Sequence, residues 1–153
     1  MYYPSTSIQS LSFGLFQSDA YYILKAYKIS KSDFYLEESE AFFSKRFTKE
    51  SYHVAGKAVS IPPTLKNQLT GLMEKIPSKI LTYELPKLNE PGNREECTYF
   101  IEIELINGTI ISFVVNEYEP NHLKLPSDIL AFKDQIKSLL PELDKYFPYT
   151  STF

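Results

Sequence analysis

Apolar residues recur along this chain with a period that changes from segment to segment, and the changes mark its elements. In residues 8–16, Leu11, Phe13 and Leu15 alternate with small or polar residues, the period-2 pattern of a half-buried strand. A polar break at Gln17-Ser18-Asp19 separates this run from residues 20–28, rich in Tyr and aliphatic side chains. The two runs are expected to pair as antiparallel strands. Residues 30–60 read less clearly. Phe34-Tyr35-Leu36 and Phe42-Phe43 are short apolar knots set apart by Glu37, Glu38 and Glu40, compatible with a helix or with two further strands. Their aromatic density favours strands, and residues 54–61 add a short one.

The period then lengthens. Pro62 and Pro63 stand where a first helical turn tolerates proline. Leu65, Leu69, Leu72, Met73 and Ile76 follow at helical spacing until Pro77, which predicts an amphipathic helix with Gly71 as a costly interior residue. Residues 84–97 hold Pro86, Pro91 and Gly92 among mixed charges and read as a surface loop. Next come two β-rich runs, residues 98–106 and 109–117, separated by Asn107-Gly108. That dipeptide predicts a two-residue type I′ turn, which needs positive φ at both positions. A last helix is expected over residues 127–140, opened by Pro126 and interrupted by Pro141. Its apolar face is Ile129, Leu130, Phe132, Ile136, Leu139 and Leu140, with Lys133 as the exception. Strands, helix, long hairpin and helix in that order predict an α+β fold. Its antiparallel β-sheet has a central β-hairpin and is packed on one face by two amphipathic helices.

A two-residue turn would set Ile106 opposite Thr109 and fix the hairpin's two faces. One would carry Tyr99, Ile101, Ile103 and Leu105 across from Asn116, Val114, Ser112 and Ile110, a core face for the helices to cover. The other would carry Phe100, Glu102, Glu104 and Ile106 across from Val115, Phe113, Ile111 and Thr109, mixing apolar residues with two carboxylates.

Charge sharpens this. Of the chain's 19 acidic residues, Glu95, Glu96, Glu102, Glu104, Glu117 and Glu119 fall between positions 95 and 119, where none of its 16 basic residues occurs. That stretch is net −6 in a chain of net −3. An acidic patch with apolar neighbours steers and holds a basic partner, so these six glutamates and Phe113 are the candidate partner-binding residues. The plain alternative is a solvated sheet face whose glutamates keep an edge soluble.

Composition narrows the classes further. The length of 153 residues, 43% hydrophobic and 23% charged, fits one folded domain over residues 1–153. The 12 Tyr and 11 Phe furnish a core and, in part, a contact surface. A net charge this small and scattered Lys/Arg give no field for nucleic acid. A lone Cys97 excludes an internal disulfide and fits a reducing compartment. The first residues lack the basic and apolar regions of a secretory leader, and no apolar run is long enough for a membrane span. The expectation is therefore a cytoplasmic protein, monomer or homodimer, without nucleic-acid or membrane partners.

Chemistry is sparse. Glu102 and Glu104, two apart on a strand, would hold carboxyls roughly 6–7 Å apart, near the spacing of glycosidase pairs, but such pairs are common on sheet surfaces. His53 and His122 lack neighbouring ligands, so no metal site is expected. Glu95 and Glu96 would raise the Cys97 pKa and oppose a thiolate. No glycine-rich phosphate loop occurs, Gly14 reads as a strand bulge, and no cofactor and no catalytic residue is assigned.

An aromatic strand pair, a proline-initiated helix, a long hairpin and a closing amphipathic helix make an arrangement that resembles small bacterial immunity proteins. The resembling stretches are residues 11–28, 61–76 and 99–140. The resemblance implies a cytoplasmic, non-enzymatic inhibitor that neutralises a cognate toxin by direct occlusion, commonly with acidic groups over a basic toxin site. The alternative is a small-molecule-binding or enzymatic α+β domain with a pocket lined by Tyr and Phe.

Overall fold

The alternation in residues 8–16 makes β1 (Ile8–Gln17) the strand on which the sheet is built. Its Leu11 and Phe13 are buried toward one side, and its Ser10, Ser12 and Gly14 lie on the other. It pairs antiparallel with β2 (Tyr22–Ser30) along one edge and with β5 (Thr98–Leu105) along the other. β3 (Asp33–Leu36) and β4 (Lys57–Val59) extend the sheet beyond β2, and β6 (Ile110–Asn116) extends it beyond β5. The result is a six-stranded antiparallel sheet in the order β4-β3-β2-β1-β5-β6. With helices α1 (Pro63–Met73) and α2 (Ser127–Tyr146), the fold is α+β. β1 and β2 occupy the middle of the strand order, and the β5–β6 hairpin forms one end of it.

This computed structural model describes residues 2–17, 22–30, 33–36, 57–80, 83, 98–117 and 125–147. The expected loop at 84–97, the Phe42-Phe43 knot, His53, Cys97 and His122 lie outside the described residues. β3 and β4 fall where strands were favoured over a helix.

One face of the sheet forms the main core. Across β2, β1, β5 and β6 run Tyr27, Phe13, Ile101 and Phe113 in one row, and Ile29, Leu11, Ile103 and Ile111 in the next. Leu65, Leu69, Leu72 and Met73 of α1 join the same apolar cluster, as do Ile129, Phe132, Ile136, Leu139, Leu140 and Leu143 of α2. Their spacings of three and four place them on one side of each helix. Tyr27 stacks on Phe34, and Phe34 on Phe147, with ring centroids 5.8 and 5.7 Å apart.

Helix α1 begins as expected, with Pro62 at the cap and Pro63 in the first turn. It stops at Met73, short of Ile76. Pro77 disfavours helical backbone at the residue before it, and the Ile76 carbonyl instead accepts the Tyr3 N–H at 2.8 Å. Ile76 is buried all the same.

Helix α2 overturns the expected break at Pro141 and continues to Tyr146. An interior proline removes one helical hydrogen bond and costs roughly 3 kcal/mol. The carbonyl that loses its donor belongs to the exposed Lys137, where water can replace it. Beyond Pro141, Leu143 is fully buried and Asp144 pairs with Lys25 of β2 at 2.5 Å. Tertiary packing therefore outweighs the local penalty.

Gly14 also departs from expectation. It sits in regular register with Ala26 and Phe100, while the β1–β2 irregularity falls at Leu15/Phe16. A Cβ on Gly14 would run into the Lys25 carbonyl oxygen and lie 2.6 Å from the Phe100 ring. Close approach of neighbouring strands, not a bulge, is what requires glycine there.

Candidate interaction surface

The hairpin register differs from expectation by one residue. The Gly108 N–H donates to the Leu105 carbonyl at 2.9 Å, and the Leu105 N–H to the Thr109 carbonyl at 2.9 Å. Leu105 therefore stands across from Thr109, and the loop holds Ile106, Asn107 and Gly108. This is the three-residue hairpin in which glycine supplies the left-handed residue; Gly108 has φ 91°. The Asn107 side chain accepts the Thr109 N–H at 2.9 Å, a local bond that tightens the same turn.

A shift of one residue exchanges every β6 side chain between faces. Phe113 and Val115 move to the core side, opposite Ile101 and Tyr99, and Ile111 lies opposite Ile103. Phe113 is 0% exposed, so its ring is not available to a partner, contrary to the face assigned from a two-residue turn. The second face instead carries Phe100, Glu102 and Glu104 of β5 beside Val114, Ser112 and Ile110 of β6. On the inner side of β5 the same face continues with Gly14, Ser12 and Ser10 of β1.

The acidic residues do not share one environment. Glu102 is only 7% exposed, and its carboxylate accepts the Ser112 hydroxyl at 2.8 Å. Glu104, one row further toward the turn, is half-buried between Ser10 and Ile110. Among the described residues it has no ion-pair partner. Glu95, Glu96 and Glu119 lie outside the described residues.

Glu117, just past β6, is neutralised within the chain. It accepts from Lys133 at 2.6 Å and from Lys137 at 3.0 and 3.1 Å, and Lys133 also reaches Asp134 at 2.5 Å. Burial works to raise the Glu117 pKa, but the two ammonium groups prevail and hold it below the ordinary carboxylate value. For Lys133, burial works downward, while the Asp134 and Glu117 carboxylates hold its pKa above the ordinary lysine value. The hairpin's lack of basic residues is thus compensated at this end by α2. Lys133, the exception on an apolar helical face, is 2% exposed because it carries its charge to Glu117.

The turn end of the hairpin is different. Ile106 is 56% and Ile110 41% exposed, and Asn107, Gly108 and Thr109 between them are exposed as well. A half-buried carboxylate beside two exposed isoleucines suits a cationic group with apolar neighbours. Ile110, expected on the core face, is exposed instead because the one-residue shift turns it to the side of Glu104, whereas Ile106 was expected on the mixed face.

Between the sheet and the helices, Phe13, Tyr27, Phe113 and Phe132 are buried in the core. An open cleft of about 460 Å³ lies between α1 and α2, lined by Gln68, Gly71, Leu72, Lys75, Ser138 and Leu139 among others. No helix among the described residues is long and apolar enough to cross a membrane. Compared with family models, curated proteins and solved structures, the chain matches none.

Proposed function

We propose that this chain is a non-enzymatic binding protein, an immunity protein that acts in the cytoplasm by occluding a basic toxin domain. The partner surface is the turn end of the β5–β6 hairpin, with Glu104, Ile106 and Ile110 at its centre and Glu102 behind them. The observation that carries this reading is Glu104, half-buried and without an ion pair among the described residues, next to the exposed Ile110. A carboxylate in that setting attracts a cation strongly, because part of its hydration is already lost. Glu117 is left out of the surface because its charge is spent on Lys133 and Lys137.

The test is co-expression of the full chain with the protein encoded immediately upstream in its native genome, followed by co-purification and a toxicity assay. Protection and binding are expected from the native chain. Glu104→Lys combined with Ile106→Ser should abolish both while circular dichroism and thermal unfolding stay unchanged. Raised salt should slow association. Full protection by that double variant would remove this surface from the function.

A further inference from the structure

The outer edge of β6 is half open and half closed, and the boundary falls within the strand. Among the described strands β6 has one neighbour, β5. The bond from Leu105 N–H to the Thr109 carbonyl fixes which residues face inward. Bonded and non-bonded pairs alternate along an antiparallel ladder, so Ile111 and Phe113 turn their backbone groups toward β5. Ile110, Ser112 and Val114 turn theirs outward. Val114 is only 1% exposed, whereas Ile110 is exposed and Ser112 half-buried. Two residues therefore present N–H and C=O groups outward, and the edge closes beyond them.

The β6 sequence itself carries little protection of that edge. β6 reads Ile-Ile-Ser-Phe-Val-Val-Asn, with no charged residue and no proline, the devices that ordinarily keep a free edge from pairing. Exposed Ile110 stands at its open half, and Glu104 and Glu102 stand in line behind Ile110 and Ser112 on β5. A residue on an added strand opposite Ile110 would lie two strand spacings, roughly 10 Å, from β5. An extended Lys or Arg and a Glu together span that distance. The neighbouring residue on the added strand would face the other side and cover half-buried Ile111.

We propose that a partner segment binds by adding a short strand along Thr109–Ser112, with Lys or Arg opposite Ile110, within reach of Glu104, and an apolar residue next to it. This rests on the reading of the chain as a binding protein for a basic partner, and specifies how the partner is held. Main-chain bonds supply the grip and alternate side chains the selectivity. Charge chooses the occupant: a second copy of β6 would bring no cation to Glu104.

The experiment uses the full chain, labelled with nitrogen-15, and a capped peptide of about seven residues alternating lysine with valine, the length of a typical strand. Titration to millimolar peptide should shift the amide signals of Ile110 and Ser112 and slow their hydrogen exchange, leaving Phe113 and Val115 unmoved. The same peptide N-methylated at its lysines, whose N–H groups would meet β6, should bind at least roughly tenfold more weakly. Glu104→Gln should weaken the unmodified peptide by a similar factor. An unmoved Ile110 and Ser112, or equal binding of the N-methylated peptide, would overturn strand addition. Protection of these amides without peptide, in a species whose sedimentation mass doubles with concentration, would overturn the choice of occupant in favour of a second copy. The two readings separate through Ile110→Pro. If that variant keeps its affinity for the toxin partner while Glu104→Lys loses it, a basic partner stands and strand addition falls.

Discussion

The two ends of the β5–β6 hairpin carry the same kinds of residue and do opposite things. At the closed end, Phe113 and Val115 enter the core, Val114 is buried, and Glu117 is neutralised by Lys133 and Lys137 of α2. At the turn end, Ile106 and Ile110 are exposed, and Glu104 has no ion pair among the described residues. The difference lies in what packs alongside. Glutamates alternate with aliphatic residues along β5, and Glu117 follows β6; the reach of α2 to Glu117 neutralises that carboxylate and not Glu104. A cluster of like charges in a sequence is therefore not yet a surface.

Substitutions can separate the two ends, beginning with the largest effect. Phe113→Ala should destabilise the chain by roughly 4 kcal/mol, through lost burial and a cavity opposite Ile101. Chemical denaturation would measure it, and a loss under 1 kcal/mol would contradict the register described above. Lys133→Ala should cost about 2 kcal/mol, since Glu117 loses one charged hydrogen bond and keeps only the exposed Lys137. Lys133→Met with Glu117→Gln should recover part of that loss. A double-mutant cycle showing no coupling would mean the pair is incidental.

Acid should act at the same end. The Glu117 pKa is lowered in the fold from its ordinary 4.5. Its contribution to stability is complete above that value and is lost as pH falls through the lower, folded value. Lys133, raised above 10.5, keeps its contribution below that value and loses it only as pH climbs through the higher, folded one. Unfolding free energy followed from pH 7 downward should fall below about pH 4.5, with a shallower slope in Glu117→Gln. An identical slope in that variant would place the acid sensitivity elsewhere.

The smaller effects lie outside the closed end. Gly71→Ala on α1 should stabilise by about 0.5–1 kcal/mol, because a helix interior favours alanine and nothing stands within 4 Å of the added methyl group. At the turn end, Glu104→Gln should change thermal stability by less than about 0.5 kcal/mol. A large loss there would mean that Glu104 serves the fold rather than a partner.

The legible parts of the fold were those with a local cause. Alternation in residues 8–16, the paired prolines before α1 and the Asn107-Gly108 turn each specify an element from neighbouring residues alone. The candidate site was less legible, and for one reason. The hairpin loop holds three residues rather than two, and β6 pairing has a period of two, so that single step sent Phe113 inward and brought Ser112 beside Glu102. Local propensity could not decide it, since Asn-Gly serves both loops.

By itself, then, the sequence determined that this chain forms an antiparallel sheet with helices, where most strands and both helices begin, and that its acidic residues crowd one hairpin. Those properties follow from side-chain period, turn chemistry and charge count, which act over a few residues. Only the tertiary structure decided that α2 passes through Pro141, that Lys133 is buried against Glu117, and that the turn end of the hairpin keeps Ile106 and Ile110 exposed beside Glu104. These depend on contacts between residues far apart in the chain, as between Lys133 and the hairpin, where burial and charge pairing outweigh local preference.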